Sequence, residues 1–134
     1  MSDGYSVRWL ENNDAPHGTE MLVRAEDELF IDHDGPGLPE NFYYRLERFS
    51  RAARMKVKGI QTYKSRSGVN NHIIVKLGRS VSDEEAAVYQ TVLGSDIFRE
   101  TMAMQRINAG IYPVIVLYKP LRSEMVEVPL RPSI

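Results

Sequence analysis

Two short apolar runs with charge at one end set the strongest limit on how this chain can fold. Leu29-Phe30-Ile31 runs into Asp32-His33-Asp34, and His72 opens Ile73-Ile74-Val75-Lys76-Leu77. Bounded by polar turn residues and rich in β-branched side chains, both read as strands with their middles in a core. Between them Phe42, Leu46, Phe49 and Ala53 recur at intervals of four, three and four, the spacing of one buried helical face. Pro39 suits the first turn of that helix. Ile60 to Tyr63 alternates as a strand should and is expected to pair with the run from His72 as a hairpin.

The rest of the chain extends the same alternation. Met21 to Ala25 is a short β-prone run. Ser82 and Glu85 have the capping-box spacing and announce a helix from about Asp83 to Leu93, with Ala86, Tyr89 and Leu93 on one side. After Gly94, Ser95 is the expected cap of a second helix running to about Ile107, with Phe98 and Met102 on its apolar stripe and Gly110 at its end. Val114 to Tyr118 is a strongly apolar strand, and Glu124 to Leu130 is expected to return beside it. Strand, helix, strand, strand, helix, strand is the order of an α+β fold of the ferredoxin-like or RNA-recognition-motif-like kind, an antiparallel sheet with helices on one face. That fold serves many functions and selects none.

A chain of 134 residues is the size of one domain, so residues 1–134 are expected to share a single core. There is no cysteine, which removes disulfides, thiolate nucleophiles and zinc ribbons; any metal must be held by oxygen or imidazole. No apolar run resembles a signal peptide or a membrane span, so the expectation is a cytoplasmic protein without membrane contact. The net charge of −1 hides an uneven distribution. Residues 1–40 carry ten acidic and two basic side chains, whereas residues 41–66 carry eight basic ones against Glu47 alone. The blocks either neutralise each other across the fold or set a carboxylate site beside a cationic surface for phosphates.

Two constellations could carry chemistry. Residues i and i+2 of a strand share a face, so Asp32 and Asp34 could converge on one hard cation, magnesium or manganese, that also grips substrate phosphates; equally, Asp-His-Asp-Gly can be a polar strand exit into a turn. Lys64, Ser65, Arg66 and Ser67 precede Gly68 and lead to His72. Small residues let backbone amides approach phosphate oxygens and the two cations supply charge, although hairpin loops favour Ser, Gly and Asn for their own sake. Arg45, Arg48, Arg51 and Arg54 form a stripe along the first helix, continued by Lys56 and Lys58, which could track a nucleic-acid backbone. Tyr43, Tyr44 and Tyr63 could stack on bases. His17 and His33 read as incidental, and Met102 as core filling.

The run Leu29 to Asp34 resembles the first motif of archaeo-eukaryotic primases and primase-polymerases, an apolar strand ending in Asp-x-Asp. Ser67-Gly68-Val69-Asn70-Asn71-His72 followed by Ile73-Ile74-Val75 resembles their second motif, a Ser-Gly turn leading to a histidine at the head of a strand. The resemblance covers about Leu29 to Leu77. It implies metal-binding Asp32 and Asp34, a phosphate-contacting His72 supported by Ser67, and a metal-dependent nucleotidyltransferase acting on nucleotides and on single-stranded or primed nucleic acid. The family's third motif has one downstream candidate, Asp96, which also fits the first turn of a helix. The alternative is a non-catalytic nucleic-acid-binding or replication-accessory module on the same fold. A partner subunit or a homo-oligomer could complete either.

Overall fold

A computed structural model describes residues 18–131. The elements run β1 (Thr19–Val23), β2 (Glu28–His33), α1 (Phe42–Ala53), β3 (Val57–Lys64), β4 (Asn71–Leu77), α2 (Asp83–Val92), α3 (Ile97–Ala109), β5 (Val116–Pro120) and β6 (Val126–Val128). The fold is α+β with two antiparallel sheets, consistent with a ferredoxin-like arrangement. The larger sheet has the order β2-β4-β3-β6, and β1 pairs with β5 in a separate ribbon. The expected β3–β4 hairpin forms. The expected pairing of the last two strands does not: β6 adds to β3 through Ile60–Val128 and Thr62–Val126, while β5 lies along β1.

Register sorts the sheet's side chains into two faces, because directly opposed residues project to the same side. Phe30, Ile74 and Gln61 form one row and Asp32, His72 and Tyr63 the next, all on one face. Leu29, Val75 and Ile60 lie on the other, with Ile31 and Ile73. Phe30 and Ile74 are as deeply buried as Leu29 and Val75, so both faces are covered. On the Leu29 face sits α1, whose Phe42, Leu46 and Phe49 are buried as the spacing predicts, and Leu46 shares a groove with Val57, the partner of Leu77. The ring of Phe49 meets that of Tyr89 on α2 edge-on. Over the Asp32 face lie β5 and α3.

What stands beside β2 explains why β5 is not there. The outer edge of β2 is saturated by the two later helices rather than by a strand, which removes an exposed pairing edge. Gln90 Oε1 accepts from Phe30 N–H at 2.8 Å, and Arg99 Nη2 donates to Phe30 C=O. Ser95 Oγ accepts from Asp32 N–H at 3.0 Å, and Asp96 N–H donates to Asp32 C=O at 2.9 Å.

Two helix starts differ from expectation. Pro39 stands before α1 rather than in it, its C=O accepting from Phe42 N–H in a turn that ends at Asn41 in the left-handed region. Asp96, not Ser95, caps α3, because the Ser95 hydroxyl is used on β2. The capping box at Ser82 and Glu85 forms as read. Among the described residues, no helix is long and apolar enough to cross a membrane.

Candidate phosphate site

The site is built from the row in which three strands contribute one polar side chain each. Asp32 ends β2, His72 begins β4 and Tyr63 nearly ends β3, and register sets the three abreast. His72 Nε2 lies 3.2 Å from Asp32 Oδ1. The Tyr63 ring meets the His72 ring edge-on, with centroids 4.9 Å apart. Behind this row is a cavity of about 290 Å³ between the large sheet, α3 and β5. Asp32, His72, Arg99 and Arg106 supply its polar lining, and Met102, Val114 and Leu117 part of its apolar wall.

The electrostatics follow from this crowding. The hydrogen bond from His72 is the main influence that lowers the Asp32 pKa below its ordinary value; burial opposes it, and the Arg99 guanidinium adds to the lowering. Burial pushes the Tyr63 hydroxyl well up, so it stays protonated across the physiological range. Four buried polar atoms have no hydrogen-bond partner among the described residues: Tyr63 OH, His72 Nδ1, Arg99 Nη1 and Glu100 Oε2, the last in charge contact with Arg99. Each unmet group costs on the order of 1–3 kcal/mol, so such a cluster calls for a bound water, ion or ligand.

The residues singled out in the sequence are only partly gathered here. Asp32 and His72 meet as expected. Asp34 falls one residue beyond β2, in the bend toward Gly35, and is exposed. The strand therefore stops short of the i, i+2 relation that was to align the two carboxylates. The carboxylate of Asp96 accepts from Phe98 N–H as the α3 cap. Among the described residues, no group of three or more His, Asp or Glu side chains is close enough to hold a metal ion.

The loop from Lys64 to Asn70 spends its polar groups on itself. Ser65 Oγ accepts from Asn70 N–H, Ser67 Oγ accepts from Val69 N–H, and Ser65 C=O accepts from Gly68 N–H. Those amides are not offered to a phosphate, contrary to the reading of this loop as a cradle. Lys64, Arg66 and Ser67 remain exposed. Asn70 and Asn71 instead tie the loop to the β2 exit: Asn70 Oδ1 accepts from Gly35 N–H at 3.0 Å and Asn71 Nδ2 donates to Gly37 C=O at 2.8 Å. The two sequence motifs are thus brought side by side, through asparagines that had been given no role.

The basic stripe lies elsewhere. Arg48, Arg51, Arg54, Lys56 and Lys58 are exposed and Arg45 is half-buried, on or just after the helix that covers the opposite face of the sheet from the cavity. Arg48 stacks over Tyr44 and Arg51 pairs with Glu47. Tyr44 is open to solvent with Arg48 over its ring, Tyr43 is half-buried and donates to Pro129 C=O, and Tyr63 is buried, so of the three tyrosines Tyr44 is the exposed one. Met102 is half-exposed at the cavity rather than in the core, and Phe98 is exposed. His33 bonds Gly37 C=O through Nδ1, and His17 lies outside the described residues.

Arg99 and Arg106 were missed in the sequence although a signal exists. They stand seven apart on α3, two turns along one face. Compared with known proteins, the chain matches no family model, no curated protein and no solved structure.

Proposed function

We propose that this chain is a phosphate-recognising domain of the nucleotidyltransferase type, acting on nucleotides and nucleic acid as its resemblance to primase-polymerases implies. The observation that carries the reading is the meeting of Asp32, His72 and Arg99 around one cavity with buried donors unspent. A phosphate is the ligand such a set suits: guanidinium N–H groups, and the His72 Nδ1–H when the ring is doubly protonated, bind its oxygens through charge-assisted hydrogen bonds. Asp32 would supply the cavity-side carboxylate for a magnesium or manganese ion carried by the phosphates, which supplies neutralisation of their charge. His72, fixed by Asp32 on one nitrogen, orients its ring toward the bound group, and Arg99 and Arg106 draw the anion in from solvent.

Calorimetric titration with a nucleoside triphosphate and manganese tests this. Wild type should bind, and Arg99→Met should weaken binding at least about tenfold, the loss of one charged hydrogen bond. Equal affinity in the two proteins would remove the reading.

A second reading is supported by the position of the basic stripe. Because Arg48, Arg51 and Arg54 are solvent-facing on α1 and its C-cap, on the side away from the cavity, with the exposed Lys56 and Lys58 following them in the chain, they suit a nucleic-acid backbone held without catalysis. That mode is indifferent to chelator and to loss of Asp32.

A further inference from the structure

A closed polar circuit joins the cavity to the helices behind it. From Phe30 N–H the path runs to Gln90 Oε1, from Gln90 Nε2 to Glu100 Oε1 at 2.8 Å, from Glu100 Oε2 to Arg99 Nη2 at 2.9 Å, and from Arg99 back to Phe30 C=O. Gln90 and Glu100 are almost wholly buried. The Arg99–Glu100 link is a charge contact rather than an aligned hydrogen bond, so Glu100 restrains the guanidinium without consuming Nη1, which is left without a partner.

We infer that Glu100 and Gln90 are positioning residues that hold Arg99 for anion binding in the cavity. A buried carboxylate in an otherwise apolar helix contact is an expensive way to join two helices, since an apolar side chain of similar size would join them at less cost. What it provides here is orientation. Arginine has several rotatable bonds, and a side chain fixed on Nη2 by Phe30 and Glu100 meets a phosphate with less ordering left to do. The inference rests on the proposed phosphate reading and adds to it the residues that act through Arg99.

The charged neighbour of Glu100 is Arg99, with Ser95 and Gln90 as its other hydrogen-bonding contacts. Asp32 also feels the Arg99 charge. Neutralising Glu100 therefore frees the guanidinium to turn toward Asp32.

The test is a double-mutant cycle on affinity for inorganic triphosphate, measured by calorimetry on folded protein. Wild-type binding and its weakening by about tenfold in Arg99→Met, with affinity still measurable, establish the phosphate reading itself. Given that, Glu100→Gln should weaken binding about fivefold in the wild-type background and have no effect in Arg99→Met. A purely structural carboxylate would change the melting temperature and leave affinity alone. No loss of affinity, or the same loss in both backgrounds, overturns the inference. If Glu100→Gln does not fold, Glu100→Asp takes its place in the same cycle, with a weakened affinity expected in the wild-type background and no effect in Arg99→Met; an unchanged affinity overturns the inference equally.

Discussion

His72 stands directly opposite Asp32 in the β2–β4 ladder, with Nε2 3.2 Å from Oδ1, so a carboxylate and an imidazole 40 residues apart in sequence form one unit. Both project from the face that looks onto the cavity, beside Arg99. The pair leaves Asp32 with a negative charge that repels a bare anion and attracts a cation-bound one.

Asp32→Asn should therefore act with opposite sign under two conditions. In chelator it should tighten inorganic triphosphate binding by about threefold, since one repulsive charge is removed in a partly screened site. With manganese it should weaken nucleoside triphosphate binding about tenfold or more. Titrations of both proteins under both conditions check this, and a change of the same sign in each would count against metal at Asp32.

The two shifted carboxyls give opposite pH dependences of stability. The Asp32 pKa is lowered from 3.8, so its contribution is complete above that value and is lost as pH falls through the folded value. The Glu100 pKa is raised from 4.5 by burial, so the unfolded chain releases its proton first and stability falls as pH rises from 4.5 through the folded value. Urea midpoints between pH 3 and pH 8 should show that Glu100→Gln removes the decline above pH 4.5. They should show that Asp32→Asn flattens the acid limb below pH 3.8. A Glu100→Gln profile parallel to wild type would contradict the assignment.

Gly94 joins α2 to α3 at φ +101°, where a Cβ would come within 2.7 Å of Pro39 Cβ. Strain at a left-handed position and overlap with a packed proline each cost on the order of 1–3 kcal/mol. Gly94→Ala should accordingly lower stability by about 3 kcal/mol in urea unfolding. A loss under about 1 kcal/mol would mean that the junction is looser than described.

The fold was legible where the signal was local. The α1 spacing of Phe42, Leu46 and Phe49, the Ser82–Glu85 box and the β3–β4 hairpin each depend on residues a few positions apart, and each formed as read. Strand partners were not legible: β5 and β6 are separated by a few residues, yet β5 goes to β1 and β6 to β3. Nor was the edge of β2 legible, occupied by Gln90, Ser95 and Arg99 side chains, a contact between segments some 60 residues apart that no periodicity announces. The site divided in the same way. Asp32 and His72 sit at ends of apolar runs and were visible; Arg99 and Arg106 flank Met102 on the cavity face of α3, but the apolar stripe read through Phe98, which is exposed, passed over them.

The basic stripe and the cavity should separate by mutation because they lie on opposite sides of the sheet. Replacing Arg48, Arg51 and Arg54 with Gln should reduce the salt slope of single-stranded oligonucleotide binding by about 2, for three phosphates at roughly 0.7 each. It should leave inorganic triphosphate affinity unchanged. Loss of triphosphate binding in this variant would place the anion site on α1 instead.

The most direct measurement is a crystal structure of the protein with a nucleoside triphosphate and manganese. The account predicts phosphate oxygens within hydrogen-bond distance of Arg99 and His72, with Asp32 on the metal side of the same group. Phosphates bound along Arg48, Arg51 and Arg54, with the cavity free of them, would contradict it.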